Sequence, residues 1–292
     1  EVEGRKAVLT TIPSDPHPWL APPRPLILSR PMSRPKDREP PVDGLLIVDK
    51  ARDMTSHDVV DVARQVLGFR RIGHTGTLDP QATGILVLCL GRATRLSAAI
   101  TSTDKAYKGV IRLGVNTDTY DGDGDPLGPP VPVTATREDV EKVFAAFRGE
   151  TLQIPPPFSA KRIAGHKLYE YARKGKIVEA PPKKIKVTRL DIESFEGDRV
   201  AFLCECSAGT YVRSIAFDTG SRLGCGAYLE SLNRVRNGPF SLESALPLME
   251  LRAMLRADAL RRVIPLADVP VSILKAARAL RAPSGTPPPS PR

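Results

Sequence analysis

An aspartate set between a glycine-containing turn and an apolar strand is a candidate reagent. Residues 74–84 (HTGTLDPQATG) supply one in Asp79. Pro80 fixes its own φ and biases the residue before it toward extended backbone, so the Asp79 carboxylate has few conformations open to it. If it faces a cleft, a carboxylate restrained in this way can act as nucleophile or base. The alternative is a turn aspartate accepting hydrogen bonds from nearby backbone amides. A second acidic motif, Asp121-Gly-Asp123-Gly-Asp125, begins like a calcium loop but does not continue as one. Pro126 stands where such a loop needs glycine, and Pro132 where it needs its last carboxylate, so no metal is expected.

The four cysteines, Cys89, Cys204, Cys206 and Cys225, match neither a disulfide framework nor zinc-site spacing, which fits a reducing compartment. Lysine and arginine number 43 against 33 acidic residues, a net charge of +10 that points to a polyanionic partner. Much of the excess is local: Lys161-Arg162, His166-Lys167, Arg173-Lys174, Lys176, Lys183-Lys184 and Lys186 crowd one stretch. A solvated face is the ordinary meaning of such a run; an arm that grips phosphates is the sharper one. Arg92 and Arg95 could extend that surface. No apolar run approaches the roughly 20 residues of a membrane helix.

The elements that must position these groups follow from patterning. Gly44 to Asp49 and Gly84 to Leu90 read as buried strands, and Lys105 to Leu113 as a longer one. Between the first two, Thr55 and Asp58 form a capping box for a helix with Val59, Val62, Ala63 and Val66 on one face, ended by Gly68. Arg70 to Thr83 and Asp118 to Pro132 read as loops. Helices are expected over Arg137 to Phe147, Leu168 to Lys174, Tyr211 to Leu223, Leu248 to Leu255 and Leu260 to Ile264. Lys184 to Phe195 and Arg199 to Cys206 read as a hairpin turning at Glu196-Gly197-Asp198. Strands and helices mix without strict alternation, which predicts an α+β domain with a mixed or antiparallel sheet.

Several stretches, in one order, resemble pseudouridine synthases of the bacterial TruB type. The Asp79 loop is similar to that family's catalytic motif, and Gly44 to Lys50 followed by Thr55-Ser56 to its first motif. Asp104 to Tyr107 with Leu113-Gly114 and Thr117 to Asp121 resembles its second strand region; Pro156 to Lys161 resembles its proline-rich segment. Gly209 to Ile215, with Asp218 and Leu223 to Ala227, resembles the motif around its active-site arginine. The resemblance covers about residues 43–268 and implies the pseudouridine synthase fold, a central mixed, mostly antiparallel sheet flanked by helices with a cleft across it. It implies isomerisation of uridine to pseudouridine at position 55 in the T loop of transfer RNA, without a cofactor. Asp79 falls on the catalytic aspartate, Arg213 on the arginine that pairs with it, and Tyr107 on the tyrosine that stacks on the flipped base. Tyr211 falls on a second active-site tyrosine, Leu232 on an apolar residue of the base pocket, His74 on an RNA contact and Asp121 on an acidic residue. Lys161 and Lys183 are candidate RNA contacts of the basic stretch. The partner implied is the T arm and elbow of tRNA, met by a cytoplasmic monomer with no obligatory protein partner and no membrane.

Two departures stand out. Ala51 and Asp53 replace the proline and glycine usual in the first motif, which puts the shape of that turn in question. The chain also lacks the composition of a complete C-terminal PUA domain: residues 269–292 read as a short Pro-rich tail, with Val271 to Leu280 reading as the start of a shortened version. Residues 1–42, rich in proline and arginine, read as disordered; Val8 to Ile12 is too short for a signal peptide, and Met32 reads as a start site.

Overall fold

The computed structural model describes residues 42–280, apart from 160, 164, 173–175, 177 and 179. The Pro/Arg-rich segment through residue 41, Arg173 and Lys174 of the basic stretch, and residues 281–292 lie outside the described residues. In chain order the longer strands are β1 (Gly44–Lys50), β2 (Ile72–Thr75), β3 (Thr83–Leu90), β4 (Lys105–Leu113) and β5 (Gly149–Gln153). The small pair β6 (Arg162–Ile163) and β7 (His166–Lys167) comes next, then β8 (Lys183–Glu196), β9 (Arg199–Cys206) and β10 (Ala227–Asn237). Three two-residue strands follow, β11 (Phe240–Ser241), β12 (Leu246–Pro247) and β13 (Ile264–Pro265). The helices are α1 (Ser56–Leu67), α2 (Ser97–Thr101), α3 (Arg137–Ala145), α4 (Leu168–Ala172), α5 (Val212–Leu223), α6 (Leu248–Ala253), α7 (Arg256–Arg261) and α8 (Val271–Ala279).

The main sheet runs β12-β1-β3-β10-β4-β9-β8-β5. It is antiparallel except where β12 joins β1 and β10 joins β3, so the expected mixed, mostly antiparallel α+β sheet is present. β1 is apolar on both faces because both are covered. Leu46 and Val48 pack with α1 and α6, and Leu45 and Ile47 with α2 and α8. The cap of α1 is the one its sequence spells: Thr55 Oγ1 accepts from the Asp58 amide at 3.1 Å, and the Thr55 amide donates to Asp58 Oδ2 at 2.8 Å. Gly68 closes the helix with a left-handed φ of 73°. Farther along the sheet, Val200 and Phe202 of β9 and Ile111 of β4 pack under Phe144 of α3 and Ile215 of α5.

The structure differs most from the sequence expectations in the following places. β10 lies at the centre of the sheet, between β3 and β4, although its sequence gave no clean alternation. The loop expected over Arg70 to Thr83 contains β2, paired with β3. The late helices fall at Leu248–Ala253 and Arg256–Arg261, not at Leu248 to Leu255 and Leu260 to Ile264. Part of the stretch read as a tail from residue 269 forms α8, whose Ile273 and Ala277 are buried with Val269 against Ala99 and Ile100.

Candidate active site

Backbone contacts hold the loop that carries Asp79 on every side. Upstream, Arg234 Nη2 donates to the Gly76 carbonyl at 3.0 Å. Next to the aspartate, Ser56 at the start of α1 closes a two-way clasp on Leu78: the Leu78 amide donates to Ser56 Oγ at 2.9 Å, and that hydroxyl donates to the Leu78 carbonyl at 3.1 Å. Downstream, the Pro80 carbonyl accepts from Lys50 Nζ and from the Asp53 amide, both at 2.9 Å. Lys50 is fully buried at the end of β1, and it also donates to the Ala51 and Met54 carbonyls at 2.9 and 2.7 Å. Burial lowers its pKa to about 8, against the pull of nearby Asp53 and Asp79. The departure at position 53 leaves the turn intact. Asp53 takes the left-handed φ of 62° that glycine adopts freely, and aspartate is among the few other residues that tolerate it.

Opposite the loop stands Arg213, in the first turn of α5. Its Nε lies 3.0 Å from Asp79 Oδ2 and its Nη2 3.3 Å from Oδ1, a two-point fork on the carboxylate. Nη1 donates to the Thr119 carbonyl at 3.0 Å and lies 3.3 Å from Asp121 Oδ2, and Nη2 also donates to the Phe158 carbonyl at 3.0 Å. The arginine side chain is only 7% exposed, whereas Asp79 is 39% exposed. The guanidinium is therefore fixed while the carboxylate keeps an open side. Asp121 sits behind the pair; burial raises its pKa, offset in part by the Thr119 hydroxyl and by Arg213.

The start of α5 is itself held by the end of β5. Gln153 Nε2 donates to the Tyr211 carbonyl at 3.0 Å, the Tyr211 amide donates back to Gln153 Oε1 at 2.8 Å, and Ser214 Oγ donates to the Ile154 carbonyl at 2.9 Å. The proline-rich stretch after β5 thus runs along the helix start and brings Phe158 to Arg213.

The open side of Asp79 faces a cavity of about 430 Å³ that Tyr107, Tyr211, Leu232 and Arg213 also line. That is within the usual size of a small-ligand pocket. Tyr107 is set by register: β4 places it directly opposite Arg234 of β10. Burial pushes the Tyr107 hydroxyl up to about 12, against the opposing effect of the Arg234 cation. Gly84, where β3 leaves the Asp79 loop, has φ 100°, and a Cβ there would overlap the Arg234 carbonyl and the Asn233 side chain. Glycine is required for β3 and β10 to meet at this point.

Five of the nine site residues read from the sequence thus meet around one space: Asp79, Arg213, Tyr107, Tyr211 and Leu232. Asp121 joins them through Arg213. Lys183 lies just outside, its Nζ 3.5 Å from the Ala208 carbonyl and against Gly209 of the cavity lining. His74 does not line the cavity. It pairs with Leu88 in the sheet, its Nδ1 has no hydrogen-bond partner among the described residues, and burial lowers its pKa. Lys161 also stands apart, its carbonyl accepting from the Leu168 amide at 2.8 Å. The sequence reading missed Lys50, Lys105, Arg234 and Tyr169, of which the last three line the cavity. A lysine and an arginine inside otherwise strand-forming segments were the available signal.

Residues 64–212 match the family model described as TruB family pseudouridylate synthase (N terminal domain). The chain is 44% identical over 219 residues to the tRNA pseudouridine synthase B of Solibacter usitatus, a match covering 75% of each. It is also 44% identical to the protein of that name from Opitutus terrae, over 80% of this chain and 97% of the relative. The chain belongs to the TruB family of pseudouridylate synthases. Among solved structures, one in a Cbf5–Nop10–Gar1 complex is similar with a TM-score of 0.58 at 28% identity, over 80% of this chain and 59% of that one. One in an H/ACA RNP bound to a substrate RNA containing 2′-deoxyuridine gives 0.54 at 28% identity, over 72% and 52%. This chain therefore spans little more than half the length of those two.

Proposed function

We propose that Asp79 is the carboxylate with which this TruB-family synthase isomerises uridine to pseudouridine at position 55 of the transfer RNA T loop. The observation that carries the reading is the two-point Arg213–Asp79 fork at the mouth of a cavity lined by Tyr107, Tyr211 and Leu232. The isomerisation breaks the N1–C1′ bond and joins C5 to C1′ with no net redox change, so a nucleophilic or basic carboxylate suffices and no cofactor is needed. Arg213 grips both oxygens of the Asp79 carboxylate and aims it. A uridine in a folded loop must be extruded before this bond can be reached, and an aromatic ring such as Tyr107 can stack on the extruded base.

The RNA partner fits the charge. Lys161, Lys183, Lys184 and Lys186 lie along the chain between Phe158 and Gly209 of the cavity lining and match a phosphate-gripping arm. Replacing these four with glutamine is expected to flatten the salt dependence of tRNA binding; an unchanged slope would remove the arm from the reading. Among the described residues no helix is long and apolar enough to cross a membrane. We read the chain as a cytoplasmic monomer that needs no protein partner.

The test is the pseudouridine content of unmodified elongator tRNA after incubation with purified protein or with Asp79→Asn. Modification of the T-loop uridine by the wild type only is expected. A second reading, a synthase that needs guide RNA and partner proteins, draws on the likeness to the Cbf5 and H/ACA complexes. It takes over if neither protein modifies a tRNA that both bind.

A further inference from the structure

Lys105 and Arg234 line the same cavity as Asp79, and both are buried, with 5% and 1% of their surface exposed. A buried cation is ordinarily matched by a carboxylate. These two are matched by neutral groups. Lys105 Nζ donates to the Thr101 and Thr103 carbonyls, and Arg234 donates through Nε to the Ile85 carbonyl at 2.8 Å and through Nη2 to Gly76. Among the described residues neither forms an ion pair, whereas Arg213 is shared between two carboxylates. Carbonyl contacts make the two cations tolerable without cancelling their charge. Although burial lowers Lys105 to about 8, it keeps most of its charge at neutral pH.

The proposed reaction moves a negative charge into that space. When the N1–C1′ bond breaks, its electron pair stays on N1 and the base becomes a uracil anion delocalised over O2 and O4. Asp79 loses its charge in the same stage, either by bonding through a carboxylate oxygen to C1′ or by taking the 2′ proton. When C5 bonds to C1′, the C5 proton leaves, N1 gains a proton and Asp79 is released as carboxylate, so the reaction balances as an isomerisation. Between those two bonds the charge sits on the base, beyond what the Arg213 fork on Asp79 was built to hold.

We infer that Lys105 and Arg234 stabilise the uracil anion between breakage of N1–C1′ and formation of C5–C1′, an inference that rests on the reading of this chain as a pseudouridine synthase. Fixed charges in a water-poor site act strongly on developing charge and need no reorganisation as it appears. They also suit a base that must turn. The rotation exchanging N1 with C5 exchanges O2 with O4, and the field of two point charges holds through it, whereas a hydrogen bond to one atom would break.

A leaving-group comparison tests this. Single-turnover loss of the target nucleoside is measured in tRNA carrying uridine or 5-fluorouridine there. Fluorine stabilises the departing anion by itself, so the fluorinated base depends less on outside cations. Lys105→Gln is expected to slow uridine roughly ten- to a hundredfold, to slow 5-fluorouridine markedly less, and to leave tRNA affinity unchanged. Arg234→Gln repeats the charge removal independently, should either variant fold poorly. Arg234→Lys keeps the charge with fewer contacts, and any loss should fall equally on both substrates. Equal slowing of both by the charge-removing variants, or no slowing, overturns the inference while leaving the synthase reading intact. A wild type that converts neither overturns that reading and the inference with it.

Discussion

Two sets of charges lie on and beside one sheet and are built in opposite ways. On the face of β4, β8, β9 and β10 away from α3 and α5, charged side chains pair with one another in the open. Lys108 meets Glu193 at 2.5 Å, Arg112 meets Asp198 at 2.9 Å and Arg236 meets Glu205 at 2.7 Å, all with about a third or more of the side chain exposed. Around the cavity and the Asp79 loop, Arg213, Arg234, Lys50 and Lys105 are buried, and most of their partners are backbone carbonyls. The first set pairs whatever is nearby and can re-form after a change. The second is wired to the chain itself, so each cation fixes a segment of backbone: Gly76 and Pro80 on the Asp79 loop, Thr119 and Phe158 on its opposite side. A cation used in this way positions a reactive group; a surface pair only decorates a face.

Arg213 gives the largest expected difference after Asp79 itself. Arg213→Gln removes the fork and leaves Asp121 buried without its cation, and kcat is expected to fall roughly 10²- to 10³-fold with tRNA affinity little changed. Arg213→Lys restores charge but not the two-point geometry and should recover only part of the loss. Single-turnover rates and filter binding measure both. If Arg213→Gln kept most of its rate, the buried pair would be no more than a surface pair in a deeper place.

The same contrast explains how much could be read from the sequence. Segments obeying one rule were legible: the twice-buried run of β1, the Thr55–Asp58 box, the hairpin turning at Gly197, where φ is 60°. So was the set Asp79, Arg213 and Tyr107, because the family motifs carry it. β10 was not legible, because it has bulges between Leu229 and Ser231 and between Arg234 and Arg236, and one of its buried positions is an arginine. Each bulge shifts the two-residue period, and the buried charge reverses the apolar signal. β2 hides in a glycine-containing loop for a related reason, its four residues being too few to show a period. Lys50 and Arg234 were missed because a lysine or arginine reads as surface until the carbonyls around it are known.

Lys50 offers the next sharpening. Lys50→Met would leave the Ala51 and Met54 carbonyls without this donor and loosen Pro80, and is expected to cost about 2–4 kcal/mol in urea unfolding. Its pH dependence has a definite sign. The folded pKa of about 8 lies below the ordinary lysine value of 10.5, so between them the unfolded chain binds more protons and the stability contributed by Lys50 rises with pH. The gap between wild type and Lys50→Met should therefore widen from pH 8 toward 10.5. A gap that narrows would mean that the nearby carboxylates outweigh burial at this lysine.

The smallest effect should come from the open face. Arg236 and Glu205 are 2.7 Å apart, close enough for a strong contact, yet 36% and 32% exposed. Water screens such a pair, and holding two long side chains together costs entropy, so a double-mutant cycle with Arg236→Gln and Glu205→Gln should give a coupling below about 1 kcal/mol. Arg236 lies two residues beyond Arg234 on the same strand, so the cycle compares two arginines of similar place and opposite wiring. Raising salt to 1 M should erase most of the Arg236 coupling, because it is Coulombic and exposed. It should leave the Arg234 contacts largely untouched, since their acceptors are buried carbonyls. A salt-resistant coupling at Arg236 would dissolve the distinction, and the open face would then have to be counted among the parts that hold β10 in register beside the Asp79 loop.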